Sequence, residues 1–213
     1  MKIVHILRLS FLILIILSAH FSEAGDLNQK HGVFIGANYW FSAGGENDLK
    51  STIGFGGCYQ YHFMDKLSLS IGMYYFAPSN EAASLPSGTI KLMPLVFNAQ
   101  YTRRSDTFSP YVSGGIAYFL LRYSLSSDTV AAFDELGFDI ESSASNKLGF
   151  NIGGGTYITL NPKYDLFVDL RYFIAKSSFT NTITDRITSI KNENSQDISL
   201  NSLAIGGGIR FNF

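Results

Sequence analysis

Nucleophilic or general-base chemistry would need a histidine or thiol beside a hydroxyl or carboxylate, and this sequence offers few such groups. Of its four histidines, His5 and His20 fall in the apolar N-terminal segment, leaving His31 and His62. His62 is separated from Ser68 by the short Met64-Asp65-Lys66 stretch, so the two could approach across a hairpin; a structural hydrogen bond is the favoured role. Cys58 is the only cysteine, which excludes an intrachain disulfide and a thiolate metal cluster.

The remaining candidates are charges. Asp165, Asp169 and Arg171 share one parity of DLFVDLRYFI, and Arg210 lies on the corresponding parity of the C-terminal stretch LAIGGGIRFNF. Lys91 joins this set if its segment keeps the same register. A desolvated charge needs a partner, so these residues are expected to form a bracing network, in preference to a selectivity filter. The stretch 128–141 carries Asp128, Asp134, Glu135, Asp139 and Glu141 with no Lys or Arg of its own. Its spacing does not match an EF-hand loop, so it reads as a solvated acidic loop, with Val130, Phe133 and Leu136 near helical spacing as a short amphipathic turn over whatever lies below. No metal or cofactor is expected. The GGG runs at 153–155 and 206–208 open no helix and are not nucleotide loops; they permit close packing within strands.

The elements that must position these groups alternate with period two. In TIGFGGCYQYHF, Ile53, Phe55, Tyr59, Tyr61 and Phe63 oppose Thr52, Gly54, Gly56, Cys58, Gln60 and His62. LSLSIGMYYF, GFNIGGGTYITL, DLFVDLRYFI and the final strand repeat the pattern, and residues 32–41, 90–101 and 110–121 are strand-like. The count is eight strands. Short links near 64–66, 102–108 and 161–164 alternate with long polar ones near 42–51, 77–88, 122–147 and 176–197, the arrangement of an up-and-down barrel with a rim of turns and a rim of loops. The last of these, rich in Ser, Thr and Asn, reads as mobile surface.

The polar parity is mostly Gly, Ser, Ala and Thr and could not fill a dry soluble core, whereas the apolar parity is crowded with Leu, Ile, Phe and Tyr. The apolar row is therefore expected to face outward into lipid, each strand supplying roughly the 9 to 11 residues a bilayer crossing needs. Aromatics are expected at the two interfaces: Tyr39, Trp40, Phe41, Tyr74, Tyr75, Phe76 and Tyr123 by the loops, Tyr61, Phe63, Tyr101, Phe211 and Phe213 by the turns.

Lys2 and Arg8, then the apolar run Leu9 to Leu17, then Ser22-Glu23-Ala24 read as a secretory signal peptide over 1–24, leaving a single barrel domain over 25–213. A formal net charge of -1 and the lack of a basic run exclude a nucleic-acid partner.

With these residues in view, the chain resembles the small eight-stranded outer-membrane barrels of Gram-negative bacteria, OmpA-like and OmpX-like members of the porin superfamily. The ending LAIGGGIRFNF, with Gly208, Ile209, Phe211 and Phe213, is similar to that family's C-terminal assembly signal, and SPYVSGGIAYFL (109–120) to its Pro-Tyr-rich strand. The resemblance implies a closed all-β antiparallel transmembrane barrel in the outer membrane, monomeric, N terminus periplasmic and long loops outside. No peptidoglycan-binding domain is expected after Phe213. The implied partners are outer-membrane lipid and lipopolysaccharide, the barrel-insertion machinery, and an extracellular ligand of unknown kind. The expected role is a surface-presenting structural protein with a plugged lumen. An OmpW-like passage for small apolar solutes or a weak porin is the alternative, against which the polar inward parity argues. A lipid A-modifying barrel enzyme is disfavoured because His31 and His62 lie at the turn rim.

Overall fold

The computed structural model describes residues 30–43, 49–80 and 87–213; the expected signal peptide lies outside the described residues. In chain order the elements are β1 (His31–Ser42), β2 (Thr52–His62), β3 (Leu67–Tyr75), the two-residue β4 (Ser79–Asn80), β5 (Gly88–Thr102), β6 (Phe108–Leu125), α1 (Ser127–Glu135), β7 (Phe138–Ala144), β8 (Lys147–Asn161), β9 (Tyr164–Ile174), β10 (Lys176–Asp185), β11 (Lys191–Ser199) and β12 (Ser202–Asn212).

Eight of these strands close on themselves. The order β3-β2-β1-β12-β9-β8-β6-β5 is completed by pairing of β3 with β5, and every neighbour is antiparallel. The last strand meets the first over its whole length, from Gly32↔Asn212 to Ser42↔Ser202, and Phe213 exchanges backbone hydrogen bonds with His31. Closure leaves the barrel without an edge. One end carries the tight links; at Asn161 the side-chain oxygen accepts from the backbone N–H groups of Lys163 and Tyr164 at 2.9 and 3.0 Å, an Asx turn that reverses the chain.

Alternation decides which side chains see what. On the outer wall Ile53 is 75% exposed, and Phe55, Ile35, Val112, Leu148, Phe150, Ile152, Val168, Leu170, Ile205 and Ile209 are exposed around the full circumference. A soluble monomer rarely shows an apolar patch beyond a few hundred Å²; a continuous apolar belt requires hydrocarbon as its solvent. Tyr39, Tyr61 and Phe63 lie exposed on this wall, and Tyr75 is half-buried there with its ring 5.5 Å from that of Phe55.

Trp40 does not join them. Its indole is 2% exposed inside the barrel. Tyr39, Trp40 and Phe41 are consecutive in one strand, so they cannot share a face; the middle one turns in, level with Thr52 and Ala204. Tyr74, Phe76 and Tyr123 are likewise on the inward row, packed in the same cluster as Trp40.

The long links are more ordered than their polarity suggests. β6 continues to Leu125, and α1 follows, capped by Ser126, whose Oγ accepts from the Thr129 N–H at 3.2 Å. The helix ends before Gly137, whose φ of 81° suits glycine. No residue of α1 is buried, with Val130 and Leu136 exposed, so the amphipathic turn forms but does not seal the barrel with its apolar positions. The stretch 176–197, which reads from sequence as mobile surface, is a β10–β11 hairpin that pairs with β7 into a three-stranded sheet. Its rungs include Ser178 Oγ to Asp197 at 2.7 Å and Thr180 to Ser195 at 2.8 Å. The inner side of this sheet contributes Phe179 and Ile198 to the apolar cluster inside the barrel.

Candidate functional site

The lumen has two storeys. In the half nearest the turns, β9 sends Asp165, Phe167, Asp169 and Arg171 inward at successive alternate positions, opposite small residues on its neighbours: Gly155 faces Asp169 and Gly153 faces Arg171 on β8, while Gly206 faces Asp169 on β12. A Cβ on Gly155 would lie 2.0 Å from the Val168 carbonyl oxygen and 2.7 Å from the Tyr111 hydroxyl, so glycine there admits both the close approach of β9 and the Tyr111 ring.

Two ion pairs organise this half. Arg210 on β12 lies directly across from Asp165, its Nε donating to Oδ2 at 2.7 Å and its Nη2 at 2.5 Å from the same oxygen, while Asn212 donates to that oxygen at 2.7 Å. The Arg210 guanidinium also covers the Tyr157 ring, 3.8 Å from its centroid. Arg171 pairs within its own strand: Nε and Nη2 donate to Asp169 at 3.2 and 3.3 Å, and Nη1 donates to Asn151 Oδ1 at 2.7 Å. With its amide oxygen turned toward the guanidinium, Asn98 accepts from the same Nη1 at 2.7 Å. Tyr111 donates to Asp169 at 2.6 Å and stacks on Tyr157, which accepts from Gln100 at 2.8 Å. Each buried charge thus meets a counter-charge and further hydrogen bonds, the condition under which it is tolerated. The remaining cavity among these groups is about 40 Å³, room for a few waters.

Lys91 does not belong to this set. It is exposed on the outer wall near the loop end, because the inward row of β5 runs through Leu92, Val96, Asn98 and Gln100 and leaves the odd positions outside. Tyr111, Tyr157, Asn98, Asn151 and Gln100 complete the network without standing out in the sequence; their inward parity is the available signal.

The loop half of the lumen is apolar. Trp40, Phe76, Ile90, Leu92, Phe119 and Phe173 pack there, almost all fully buried, so the inward row is polar only in the lower storey. The expectation of a polar lumen throughout is corrected by this packing: near the loops the barrel interior is covered by the β7–β10–β11 sheet and can be filled with dry side chains. Tyr74 joins the storeys, sitting in the apolar cluster with the Arg171 guanidinium 5.9 Å from its ring centroid.

At the turn rim, His31 Nδ1 lies 2.6 Å from the Tyr59 hydroxyl, and its ring stacks on Phe213. His62 is in register with Ser68, yet Ser68 Oγ accepts from Gln60 at 2.7 Å and His62 Nδ1 has no hydrogen-bond partner among the described residues. Gly208 faces Gly36 across the closing seam, Ile209 points outward, and Phe211 packs between Tyr164 and Phe213.

Outside the barrel, Arg186 from the β10–β11 turn donates from Nε to Asp139 at 2.9 Å and also binds Asp134 of α1. The acidic stretch therefore draws its cation from another loop, and this bond holds the Asp139 carboxyl below the usual carboxylate range. A cleft of about 400 Å³ lies between α1 and the sheet, bordered by Val130, Ile140, Thr182 and Lys191. Among the described residues no three His, Cys, Asp or Glu side chains gather as a metal site.

Comparison with known proteins agrees with this architecture. No curated protein matches in sequence. Among solved structures, the outer membrane protein OprG of Pseudomonas aeruginosa superposes with a TM-score of 0.68 at 16% identity, over 87% of this chain and 97% of that one. Neisserial surface protein A gives 0.56 at 16% identity, over 86% and 97%. A major outer membrane protein from Thermus thermophilus gives 0.52 at 14% identity, over 86% and 99%. These likenesses establish a shared fold. The family model for the outer membrane protein beta-barrel domain matches residues 9–211, and the chain belongs to that family of integral outer-membrane barrels.

Proposed function

We propose that this protein is a closed-lumen barrel that anchors its loop end at the cell surface, where the α1–β7–β10–β11 platform contacts external ligands. What supports this reading above all is the filling of the lumen at two levels: paired charges with stacked tyrosines below, packed apolar side chains above. An eight-stranded interior is just wide enough for side chains, and here both storeys use that space. The cleft beside α1 gives the platform a concave feature of ligand size. In this reading Gly208, Ile209, Phe211 and Phe213 serve the insertion machinery during biogenesis. Purified protein in planar bilayers is expected to show no large stable channels; persistent open channels would remove the closed-lumen reading.

A second reading, passage of small apolar solutes, is favoured by one observation, the apolar lining of the loop half. It requires that packing to part sideways through the wall. Vesicles holding the protein should then admit an apolar fluorescent solute faster than protein-free vesicles, and equal rates would set this reading aside.

A further inference from the structure

The outer wall carries one feature that a belt built only for hydrocarbon would avoid. Lys91 on β5 and Arg122 on β6 are directly paired in register, both exposed and both outward. Directly opposed side chains on neighbouring strands have Cβ atoms about 5 Å apart, where two like charges destabilise the pair. β3, β5, β6 and β8 contain no Asp or Glu, and although β7, which packs against β6, carries Asp139 and Glu141, neither cation forms an ion pair among the described residues. Glu81, the acid nearest in sequence to Lys91, lies outside the described residues.

One step further toward the loops, Thr89 and Ser124 form the next outward pair, and their hydroxyls make no hydrogen bond among the described residues. One step toward the turns the pair is Met93, covered by its neighbours, and the half-buried Leu120, both apolar. The two cations and two hydroxyls thus form a compact block of donors whose own strands offer them no acid.

Their height is fixed by the strand. From Lys91 the outward row of β5 runs through Met93, Leu95, Phe97, Ala99 and Tyr101 to Arg103, whose backbone N–H still pairs with Pro110. At about 3.3 Å per residue and a tilt of about 40°, Lys91 and Arg103 are separated by about 30 Å across the membrane, bracketing an apolar band of about 25 Å. Lys91 and Arg122 therefore stand at the headgroup level of the leaflet that meets the loop end.

We infer that Lys91, Arg122, Thr89 and Ser124 form an anion site on the lipid-facing wall that holds the phosphate of a phosphorylated glycolipid in that leaflet. A guanidinium and an ammonium side by side suit a phosphate, one as a planar fork and the other as a point charge. The phosphate removes their mutual repulsion, and the hydroxyls lie on its far side from the acyl chains, which follow the belt below. The glycolipid assignment rests on the loop end facing outward, whereas the anion site itself does not.

The test uses the folded full-length mature protein in non-ionic detergent, with lipid retention read by native mass spectrometry and folding by heat-modifiable gel mobility. The probes are diphosphorylated lipid A, its dephosphorylated form, and inorganic phosphate alone. The wild type is expected to retain the phosphorylated lipid, and the double variant Lys91→Gln/Arg122→Gln to bind it about tenfold more weakly, the scale of lost charge-assisted bonds. Lys91→Gln alone should give an intermediate loss, and Arg103→Gln at the other rim none. Equal retention by the double variant, equal loss in Arg103→Gln, or equal retention of the dephosphorylated lipid would overturn the site. Inorganic phosphate held as tightly as the lipid would overturn the glycolipid assignment. Detergent has no sidedness, so these outcomes do not depend on orientation, which protease access to the loops on intact cells reports separately.

Discussion

The Arg210 guanidinium lies 3.8 Å from the centroid of the Tyr157 ring while its Nε donates to Asp165 at 2.7 Å. The ring and the carboxylate belong to different strands, β8 and β9, so one cation fastens three consecutive walls of the barrel. Removing Asp165 alone leaves that cation buried with only Tyr157, Phe34 and a long contact of 3.5 Å to Gln60. Asp165→Leu should cost about 3–5 kcal/mol, and Asp165→Leu/Arg210→Met should recover most of it, because breaking a buried pair is worse than replacing it. Urea titration of protein folded into vesicles measures both; a double variant as unstable as the single one would contradict this account.

Gly155 makes room for the Tyr111 ring, and Tyr111 in turn holds Asp169. Gly155→Ala should therefore press on both the Val168 carbonyl, 2.0 Å from the added Cβ, and the buried Tyr111 hydroxyl, 2.7 Å from it, and cost at least about 1–3 kcal/mol, the usual range for overpacking. Gly114→Ala is the control, since its Cβ would meet only the Asn151 carbonyl at 3.6 Å and should change stability by no more than about 0.5 kcal/mol. The same titration separates them, and equal effects would show that the barrel interior yields at Gly155 without strain.

Ile205 is 47% exposed on the outer wall of the closing strand. Ile205→Arg should cost about 2–4 kcal/mol near the membrane midplane, whereas Ile205→Val should be mild. Unimpaired refolding of Ile205→Arg into vesicles would deny that this row faces hydrocarbon.

The barrel is legible in the sequence because period-two alternation reports a strand whose two faces meet different media, and lipid against a wet interior is a strong contrast. Asp165, Asp169, Arg171 and Arg210 are legible for the same reason: each sits on the small-residue parity of a strand with an apolar opposite face. Where both faces are alike the signal fades. Lys91 lies in a stretch, TIKLMPLV, where inward and outward residues are both apolar, so its face cannot be read. Trp40 is drawn to the girdle by its aromatic neighbours, although alternation within Tyr39-Trp40-Phe41 forces it inside. The β10–β11 hairpin is polar on both faces, which hydropathy does not distinguish from a loop; its β-branched Thr180, Thr182, Ile183 and Thr184 are the remaining cue.

The loop-end platform should be sensitive to acid in one direction only. Arg186 bonds Asp139 and Asp134, tying the β10–β11 turn to α1, and the bond to Asp139 depresses the pKa of that carboxyl. A carboxylate with a lowered folded-state pKa contributes stability above its unfolded value, near 3.9, and loses it as pH falls through the folded value. Asp185 follows the same sign, its carboxylate accepting from the backbone N–H groups of Ile187 and Thr188 in the turn. Hydrogen exchange in α1 and the β10–β11 turn, corrected for intrinsic rates, should therefore be unchanged between pH 7 and 5 and should rise below about pH 4. All of these groups are exposed, so salt should weaken the tie at neutral pH as well. Arg186→Gln should raise exchange in α1 at pH 7 and reduce its further rise in acid. Loss of protection already between pH 7 and 5 would mean that a group other than these carboxylates holds the platform together.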